Sequence, residues 1–232
     1  MKKKIVARNK KLTTVTKMVV KDKLYSLDEA IELAKKTSYS KFDGTVEAHF
    51  NFDLDMTAPE QGVRVTTSLP HGTGKTVKVL VFSSGTVKGA DLSLGEDGIA
   101  QIEQGKLKPK IDFDIVVSEP AMMAKLAKVA KILGPIGLMP NPKNGTVSTN
   151  LEKTVTELKK GRVELKLEPI APVIHTKIGK VSFSAKDLQE NFLEVFKTIK
   201  GAKPQKAEPT WIKSAFLAST MGPSIKVDLS TL

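Results

Sequence analysis

The chain has 232 residues and no cysteine, and its 37 basic against 25 acidic residues give a formal net charge of +12. This length accommodates one large domain or two of about 100 residues each, whereas the missing cysteine excludes disulfides, thiolate zinc sites and cysteine nucleophiles. The positive charge favours a polyanionic partner, nucleic acid above all. No run of about 18 apolar residues occurs, and the lysine-rich opening lacks the apolar core of a secretory signal, so we expect a cytoplasmic protein with no membrane span.

Lysine supplies nearly all of the positive charge, since only Arg8, Arg64 and Arg162 are arginine. Lysine binds phosphate as a flexible point charge, so binding should depend on charge more than on base edges. Aromatic residues make up only 5% of the chain, too few for the rows of rings on which single-strand binders stack bases. A folded RNA is therefore the favoured target. Residues 1–12 hold six basic residues and no acid, which predicts a disordered arm that orders on a polyanion.

The N-terminal part of the chain predicts one helix and two amphipathic strands. Ser26 and Glu29 fit a capping box, and the apolar residues that follow at helical spacing predict a helix over Leu27–Lys36. Apolar and polar residues alternate over 46–54, which predicts a strand with one wet face, and 63–69 continues in the same style.

The pattern changes at residues 70–74, where a glycine-rich turn precedes unbroken apolar strands. Segments 76–82 and 113–117 predict buried parallel strands, and 120–133 predicts an amphipathic helix that Gly134 would end. We therefore place a domain boundary at the turn and expect a small α/β unit after it.

The next helix should be capped by Asn150, and after Gly161 the alternating strand style returns over 163–167 and 173–178. Ser184 can cap a further amphipathic helix. Each outer segment has about 70 residues, which is small for an independent domain. A single split domain built from both would solve that difficulty.

Two patterns that could indicate an enzyme are incomplete. Residues 72–76 end like a phosphate-binding Walker loop, but Leu69 stands where that motif needs its first glycine, and the segment precedes a strand instead of opening a helix. His49, His71 and His175 have no partner at metal-ligand or triad spacing. We therefore predict no catalytic residue, no metal and no cofactor, and we expect Asp112 and Asp114 to flank the start of a strand.

The stretch 134–146 is a proline-rich loop that is too long for a simple turn. Two interpretations stay open: it packs Leu138 and Met139 onto the middle unit, or it presents Lys143 and Asn144 to a partner.

The segment Thr-Met-Gly-Pro at 220–223 combines residues that suit close contact with RNA. Glycine permits a close approach of the backbone, proline makes the exit rigid, threonine can bond a ribose hydroxyl, and a methionine thioether can lie against a base or ribose. A bare hairpin turn would explain Gly222 and Pro223 but would leave Met221 without a role. The chemistry therefore favours an RNA contact.

Several stretches taken together resemble one family. The resemblance to the L-one family of ribosomal proteins, which forms the mobile stalk of the large subunit, covers nearly the whole chain. The stretches that carry it are 25–30, 41–43, 69–75, the proline-rich loop and 220–223.

This resemblance implies a fold of the α/β and α+β classes with two domains. Residues 1–69 plus 160–232 would form a discontinuous, split β-α-β-like α+β domain that binds RNA, and residues 70–159 an inserted three-layer Rossmann-like α/β domain. The two crossings between the domains would act as hinges. The hinge residues would be Leu69, Pro70, Lys160 and Gly161.

The resemblance also implies a function. The protein would be a non-enzymatic constituent of the large ribosomal subunit that binds ribosomal RNA of the stalk, assists release of deacylated transfer RNA from the exit site and represses its own operon messenger RNA. It would not be an obligate homo-oligomer. The implied RNA-binding residues are Lys41, Phe42, Thr45, Glu47, Ser214, Thr220, Met221 and Gly222. Taken without the resemblance, Phe42 would be expected in the core.

Overall fold

The computed structural model describes residues 10–20, 23–54, 62–83, 85–204, 208 and 210–230, with no side chain described at Lys10 or Lys143. Residues 1–9 of the predicted basic arm lie outside this part of the chain. The expectation of disorder is wrong for the remainder of the arm, because Lys10–Thr16 forms helix α1. The physical reason is that Val15 is buried and the Thr16 hydroxyl bonds the carbonyl of Leu12, so this stretch has a side to pack.

The described chain divides into two compact units. The split unit contains the described residues up to Gly74 and from Val163 onwards, and the inserted unit is Lys75–Arg162. The sequence placed the corresponding borders after residues 69 and 159. That the two units act as separate, hinged domains stays a prediction.

A four-stranded antiparallel sheet forms the centre of the split unit. Its strands are β1 (Thr45–Phe52), β7 (Val173–Lys180), β8 (Ile212–Ser219) and β9 (Ile225–Val227), in the order β7-β1-β8-β9. Every second residue of β1 is buried, as the alternating sequence predicted. One sheet face therefore packs on a core, and the other presents polar side chains.

Two capped helices cover the apolar face of this sheet. Helix α2 is Leu27–Lys36, and its bounds and its N-cap residue agree with the sequence prediction; of the two bonds of the predicted capping box, the structure shows the one in which Ser26 accepts from the backbone of Glu29. Helix α7 is Ala185–Gly201 and has a complete capping box between Ser184 and Asp187. The aromatic residues that fill this core include Phe50, Phe192 and Trp211.

A second sheet has two strands, β2 (Arg64–Ser68) and β6 (Arg162–Lys166). The Arg64 guanidinium contacts the Glu164 carboxylate at 2.6 Å, and Leu165 enters the core of the split unit. These strands lie next to the two chain crossings.

The inserted unit is a parallel sheet with helices on both faces. Its strands β3 (Val79–Phe82), β4 (Leu92–Leu94) and β5 (Ile115–Ser118) have the order β4-β3-β5. Leu80 and Phe82 face one core and Val79 and Val81 the other, so the strand is buried on both sides. The helices are α3 (Glu96–Glu103), α4 (Met123–Leu126), α5 (Ala130–Ile136) and α6 (Leu151–Lys159).

The predicted helix over 120–133 differs from the observed one in two respects. It begins with a 3-10 turn at Pro120–Met122, a second 3-10 turn at Ala127–Val129 interrupts it, and it continues past Gly134 to Ile136. Gly137, in the left-handed conformation with φ of 77°, ends it, and the N–H of Leu138 bonds the carbonyl of Leu133. A glycine ends a helix by its left-handed backbone, which Gly134 does not adopt.

Candidate nucleic-acid interface

Thr45 and Thr220 meet at one end of the β1–β8 ladder. The hydroxyl of Thr220 accepts a hydrogen bond from the N–H of Thr45 at 2.9 Å and donates one to the carbonyl of Thr45 at 3.1 Å. The N–H of Thr220 also bonds that carbonyl at 2.9 Å. Three hydrogen bonds therefore fix the start of β1 against the end of β8.

Met221 follows at the tip of the turn. Its backbone has a φ of 66°, in the left-handed region that few non-glycine residues adopt, and its side chain is 68% exposed. Such strain persists only where the surrounding structure imposes it, and here the bonded threonine pair holds one side of the turn. A large apolar side chain is thus held in solvent at a defined position.

Gly222 closes the turn because no side chain fits there. Its N–H bonds the Ser219 carbonyl at 2.7 Å. A Cβ at this position would overlap the Ser219 hydroxyl and lie 3.1 Å from the Ser219 carbonyl oxygen. The requirement for glycine here is steric and does not involve a positive φ.

Phe42 lies on the segment that leads into β1, together with Lys41. Its side chain is 63% exposed, so the expectation from composition alone, a core position, is wrong. The segment is anchored by Asp43, whose carboxylate accepts bonds from the backbone and hydroxyl of Ser182 at 3.1 and 2.8 Å. Because Thr45 pairs with Thr220, both exposed residues lie at the same end of the ladder as Met221.

Lys180 belongs to this group, although the sequence analysis did not select it. It stands opposite Thr45 in the β1–β7 register, and its ammonium donates to the Thr45 hydroxyl at 3.2 Å and to the Asp43 carbonyl at 3.4 Å. A β-bulge in β7, opposite Val46 and Glu47, shifts the strand alternation and places Lys180 on the polar face with Lys177. Only the pairing of strands distant in sequence brings it to the site.

Glu47 and Ser214 lie further along the ladder. Glu47 stands opposite Lys177 on β7 and Ala218 on β8. Ser214 pairs with Asn51, whose side-chain amide donates to its hydroxyl at 3.1 Å. Asn51 lies six residue steps along the strand from Thr45, a span of roughly 20 Å. The predicted residues thus form a compact group at one end and a single residue, Ser214, at the other.

His49 and His175 meet across β1 and β7 between these two ends. Their Nδ1 atoms are 2.7 Å apart, and the rings are arranged edge to face. Burial, and then the neighbouring His175, lower the pKa of His49 below its ordinary value. The pairing depends on strand register, so sequence spacing could not reveal it. Among the described residues no group of three or more side chains could hold a metal ion.

The glycine-rich segment before β3 does not form a phosphate-binding loop. The ammonium of Lys75 is paired with the Asp114 carboxylate, and the chain continues into strand β3 without opening a helix. This ion pair, helped by the N–H of Lys78, lowers the pKa of Asp114. Asp114 therefore has a structural role: it holds the segment that leads into the parallel sheet.

The predicted hinge residues occupy different environments. Leu69 is buried in the core of the split unit, and Pro70 is exposed in a turn closed by the bond from the Gly72 N–H to the Leu69 carbonyl. Lys160 caps α6, and Gly161 has a φ of 98°. Their action as hinges stays a prediction.

The proline-rich loop packs against its own unit. Leu138 and Met139 are partly buried against the core formed by α3, α4 and α5, which supports the packing interpretation. Pro142–Asn144 forms a 3-10 turn. The side chain of Lys143 lies outside the described part, so its presentation to a partner stays a prediction.

A basic chain that presents a thioether, an aromatic ring and lysines at one sheet end is typical of a structural, nucleic-acid-binding protein. No described helix is both long and apolar enough to cross a membrane. The family model of the "Ribosomal protein L1p/L10e family" matches residues 34–223, and the chain belongs to that family, whose members are structural proteins and not enzymes.

Curated relatives agree with this assignment. The chain is 44% identical to the "Large ribosomal subunit protein uL1" of Chloroflexus aurantiacus over 227 residues, which is 94% of each protein. It is also 44% identical to the proteins of that name from Mesoplasma florum, over 96% of this chain and 98% of the relative, and Chloroflexus aggregans, over 95% and 94%. The similarity therefore spans both units.

Proposed function

We propose that this protein is a constituent of the large ribosomal subunit and binds a folded region of large-subunit ribosomal RNA. Membership of the family, the name of its relatives and the net charge of +12 support this role. The observation that carries it is the turn at Met221, which holds an exposed apolar side chain in strained backbone beside exposed Phe42. We name this end of the sheet the turn surface; it comprises Lys41, Phe42, Thr45, Lys180, Thr220, Met221 and Gly222.

The turn surface recognises the shape of RNA. Met221 lies against a ribose or base, and the close backbone at Gly222 admits the sugar edge of a helix, where the 2′-hydroxyls of RNA are displayed. The Thr220 hydroxyl already donates to Thr45 and accepts from it, so it has one lone pair left and meets RNA only as an acceptor. Its first role is to position Met221.

Charge supplies the rest of the affinity. Lys41 is exposed and Lys180 reaches the same sheet end, where both attract phosphates. Glu47 stands beside Lys177, so this carboxylate accepts from 2′-hydroxyls at the rim of the surface without repelling the backbone as an isolated charge would. Ser214 lies too far along the ladder for the same contact and meets a different part of the RNA.

Two more specific roles use the same surface. We propose that the bound protein forms the ribosomal stalk that assists deacylated transfer RNA in leaving the exit site, and that it represses translation of its own operon messenger RNA. A repressor site on the messenger must then present a fold that fits the turn surface. The two RNAs therefore compete for one site, and excess ribosomal RNA fragment displaces the messenger leader in a filter-binding assay. Simultaneous binding of both would contradict the single-site proposal.

Affinity for a stalk fragment of ribosomal RNA, in excess transfer RNA competitor, tests the main proposal. Met221→Ala should lose about a hundredfold, as expected for a central contact residue. The matched control is Ile170→Ala, since Ile170 is 93% exposed in the same unit but away from the turn. Equal, competitor-sensitive binding by native protein and Met221→Ala would mean that net charge alone binds RNA, as in a general basic chaperone or membrane-surface protein.

A further inference from the structure

A groove of about 770 Å³ lies between helix α1, with the loop that follows it, and strands β8 and β9 of the sheet. Thr13 and Thr16 of α1 and Lys17 directly after it line one side, and Phe216 of β8 and Lys226 of β9 line the other. Pro223 and Ser224 close one end. None of the contacts described for the turn surface uses this groove.

The groove carries positive charge. Lys17, Lys23 and Lys226 line it, and no acidic side chain is among its described lining residues. Lys23 is positioned by its contact with the ring of Tyr25, whose hydroxyl accepts the N–H of Val20 at 3.0 Å. A groove with three ammonium groups suits the phosphodiester backbone of a nucleic-acid strand.

Phe216 provides one aromatic surface in this groove. In the sheet register it stands opposite His49 on β1 and Lys226 on β9, so a ring, an imidazole and an ammonium form one row on the polar face. The side chain is partly exposed, unlike its strand neighbours Ala215 and Leu217. One partly exposed ring can stack one unpaired base, which differs from the rows of rings in general single-strand binders.

The groove is continuous with the turn surface. Pro223, which lines its end, is the last residue of the Thr-Met-Gly-Pro turn and lies two positions after Met221. An unpaired RNA strand that continues from a helix bound at Met221 therefore lies directly next to the lysine-lined groove. A protein partner is less favoured, because the described lining residues that carry charge are all lysines.

We propose that this groove binds a short unpaired RNA segment adjoining the helix held at the turn surface, with phosphates on Lys17, Lys23 and Lys226 and one base against Phe216. The proposal rests on the proposed RNA-binding function and deepens it. A groove that binds in this way makes the protein specific for a junction between paired and unpaired RNA, not for a helix alone.

Two RNAs test the proposal: a stalk fragment with a blunt end next to the bound helix, and the same fragment with a four-nucleotide unpaired extension. Native protein should prefer the extended RNA by about tenfold, and Lys17→Gln/Lys226→Gln and Phe216→Leu should each remove most of that preference. Retained binding of the blunt RNA by the variants shows that they are folded. The control Lys128→Gln/Lys131→Gln makes the same charge change in the inserted unit and should keep the preference.

The extended RNA should also show a steeper salt dependence than the blunt one, by about 0.7 in slope for each additional phosphate that the groove neutralises. Equal affinity of native protein for both RNAs, or an unchanged preference in the groove variants, would overturn the groove proposal while leaving the turn surface intact. Failure of native protein to bind either RNA over transfer RNA competitor would instead overturn the proposed function itself.

Discussion

The hydroxyl of Thr220 is bonded to both the N–H and the carbonyl of Thr45, at 2.9 and 3.1 Å. One side chain thus joins two strands whose sequence positions are far apart, directly beside the exposed Met221. The position of Met221 therefore depends on Thr220, whose own contact with RNA is secondary to its structural role.

Thr220→Val should weaken both folding and RNA binding, because it keeps the shape and removes the two hydroxyl bonds. We expect the free energy of unfolding in urea to fall by about 1 to 2 kcal/mol. Thr220→Ser should restore most of it, since serine supplies the same hydroxyl. RNA affinity that drops in Thr220→Val without any change in stability would show that the hydroxyl acts on RNA directly instead of positioning Met221.

Gly222→Ala should disturb the turn, because the added Cβ would overlap the Ser219 hydroxyl. Ser219 is buried, and its hydroxyl has no hydrogen-bond partner in the described part of the chain, so Ser219→Ala alone should cost little. The double variant Ser219→Ala/Gly222→Ala should recover part of the RNA affinity that Gly222→Ala loses. Identical affinities of the single Gly222→Ala variant and the double variant would mean that the contact with the Ser219 carbonyl, not the hydroxyl, prevents a side chain here.

Most elements of the split unit could be predicted from the sequence because local signals determine them. Ser26 and Ser184 cap their helices, and the alternation along β1 agrees with its burial. What could not be predicted depends on pairing between distant segments. The His49–His175 contact and the place of Lys180 opposite Thr45 both follow from strand register, which periodicity does not specify.

Two features of the inserted unit could not be predicted from the sequence either. Its three-residue edge strand β4 is too short to give a periodic signal, and Gly134 lies in the helix that it was expected to end.

In the split unit, the exposure of Phe42 follows from the anchoring of its segment by Asp43, whereas hydrophobicity alone indicated the core. The turn at 220–223 was identified from chemistry because each of its residue types has a separate physical reason.

Asn191→Ala should be among the more destabilising single changes in the split unit. Asn191 is fully buried, its amide donates to the carbonyls of Ile178 and Gly72 at 2.7 and 3.1 Å, and its oxygen accepts the N–H of His71 at 3.1 Å. Removing it leaves the buried carbonyl of Ile178 unpaired and deletes the bonds to the more exposed Gly72 and His71, which should cost about 3 kcal/mol in urea unfolding. Gln189→Ala on the same helix is the control and should stay within about 0.5 kcal/mol. A small effect at Asn191 would mean that water replaces the missing bonds.

Stability should depend on the protonation of His71. Its hydrogen bond to Glu190, at 2.6 Å, and the nearby Asp187 raise the pKa of His71 above its ordinary value. A raised pKa in the folded state gives stability that is fully present below the unfolded pKa and is lost as the pH rises through the folded pKa. The urea midpoint should therefore fall modestly as the pH increases from about 6 to 8.

The variant Glu190→Gln should flatten this pH dependence, because it removes the main cause of the raised pKa. The pKa of Asp187 is lowered, first by the Ser184 hydroxyl, so its own contribution is lost only at acid pH, as the pH falls through its folded pKa. The two windows therefore do not overlap. A midpoint that still falls between pH 6 and 8 in Glu190→Gln would assign the effect to another group.

RNA binding should weaken steeply with salt, since lysines supply most of the phosphate contacts. The plot of log affinity against log salt should have a slope of several units, and Lys41→Gln/Lys177→Gln, which changes two exposed lysines at the sheet end, should reduce it by about 0.9 for each phosphate that is no longer neutralised. The pair Lys128→Gln/Lys131→Gln, equal in charge, should leave the slope unchanged. A flat salt profile for the native chain would contradict charge-driven binding, and equal slopes in both double variants would place the phosphate contacts elsewhere.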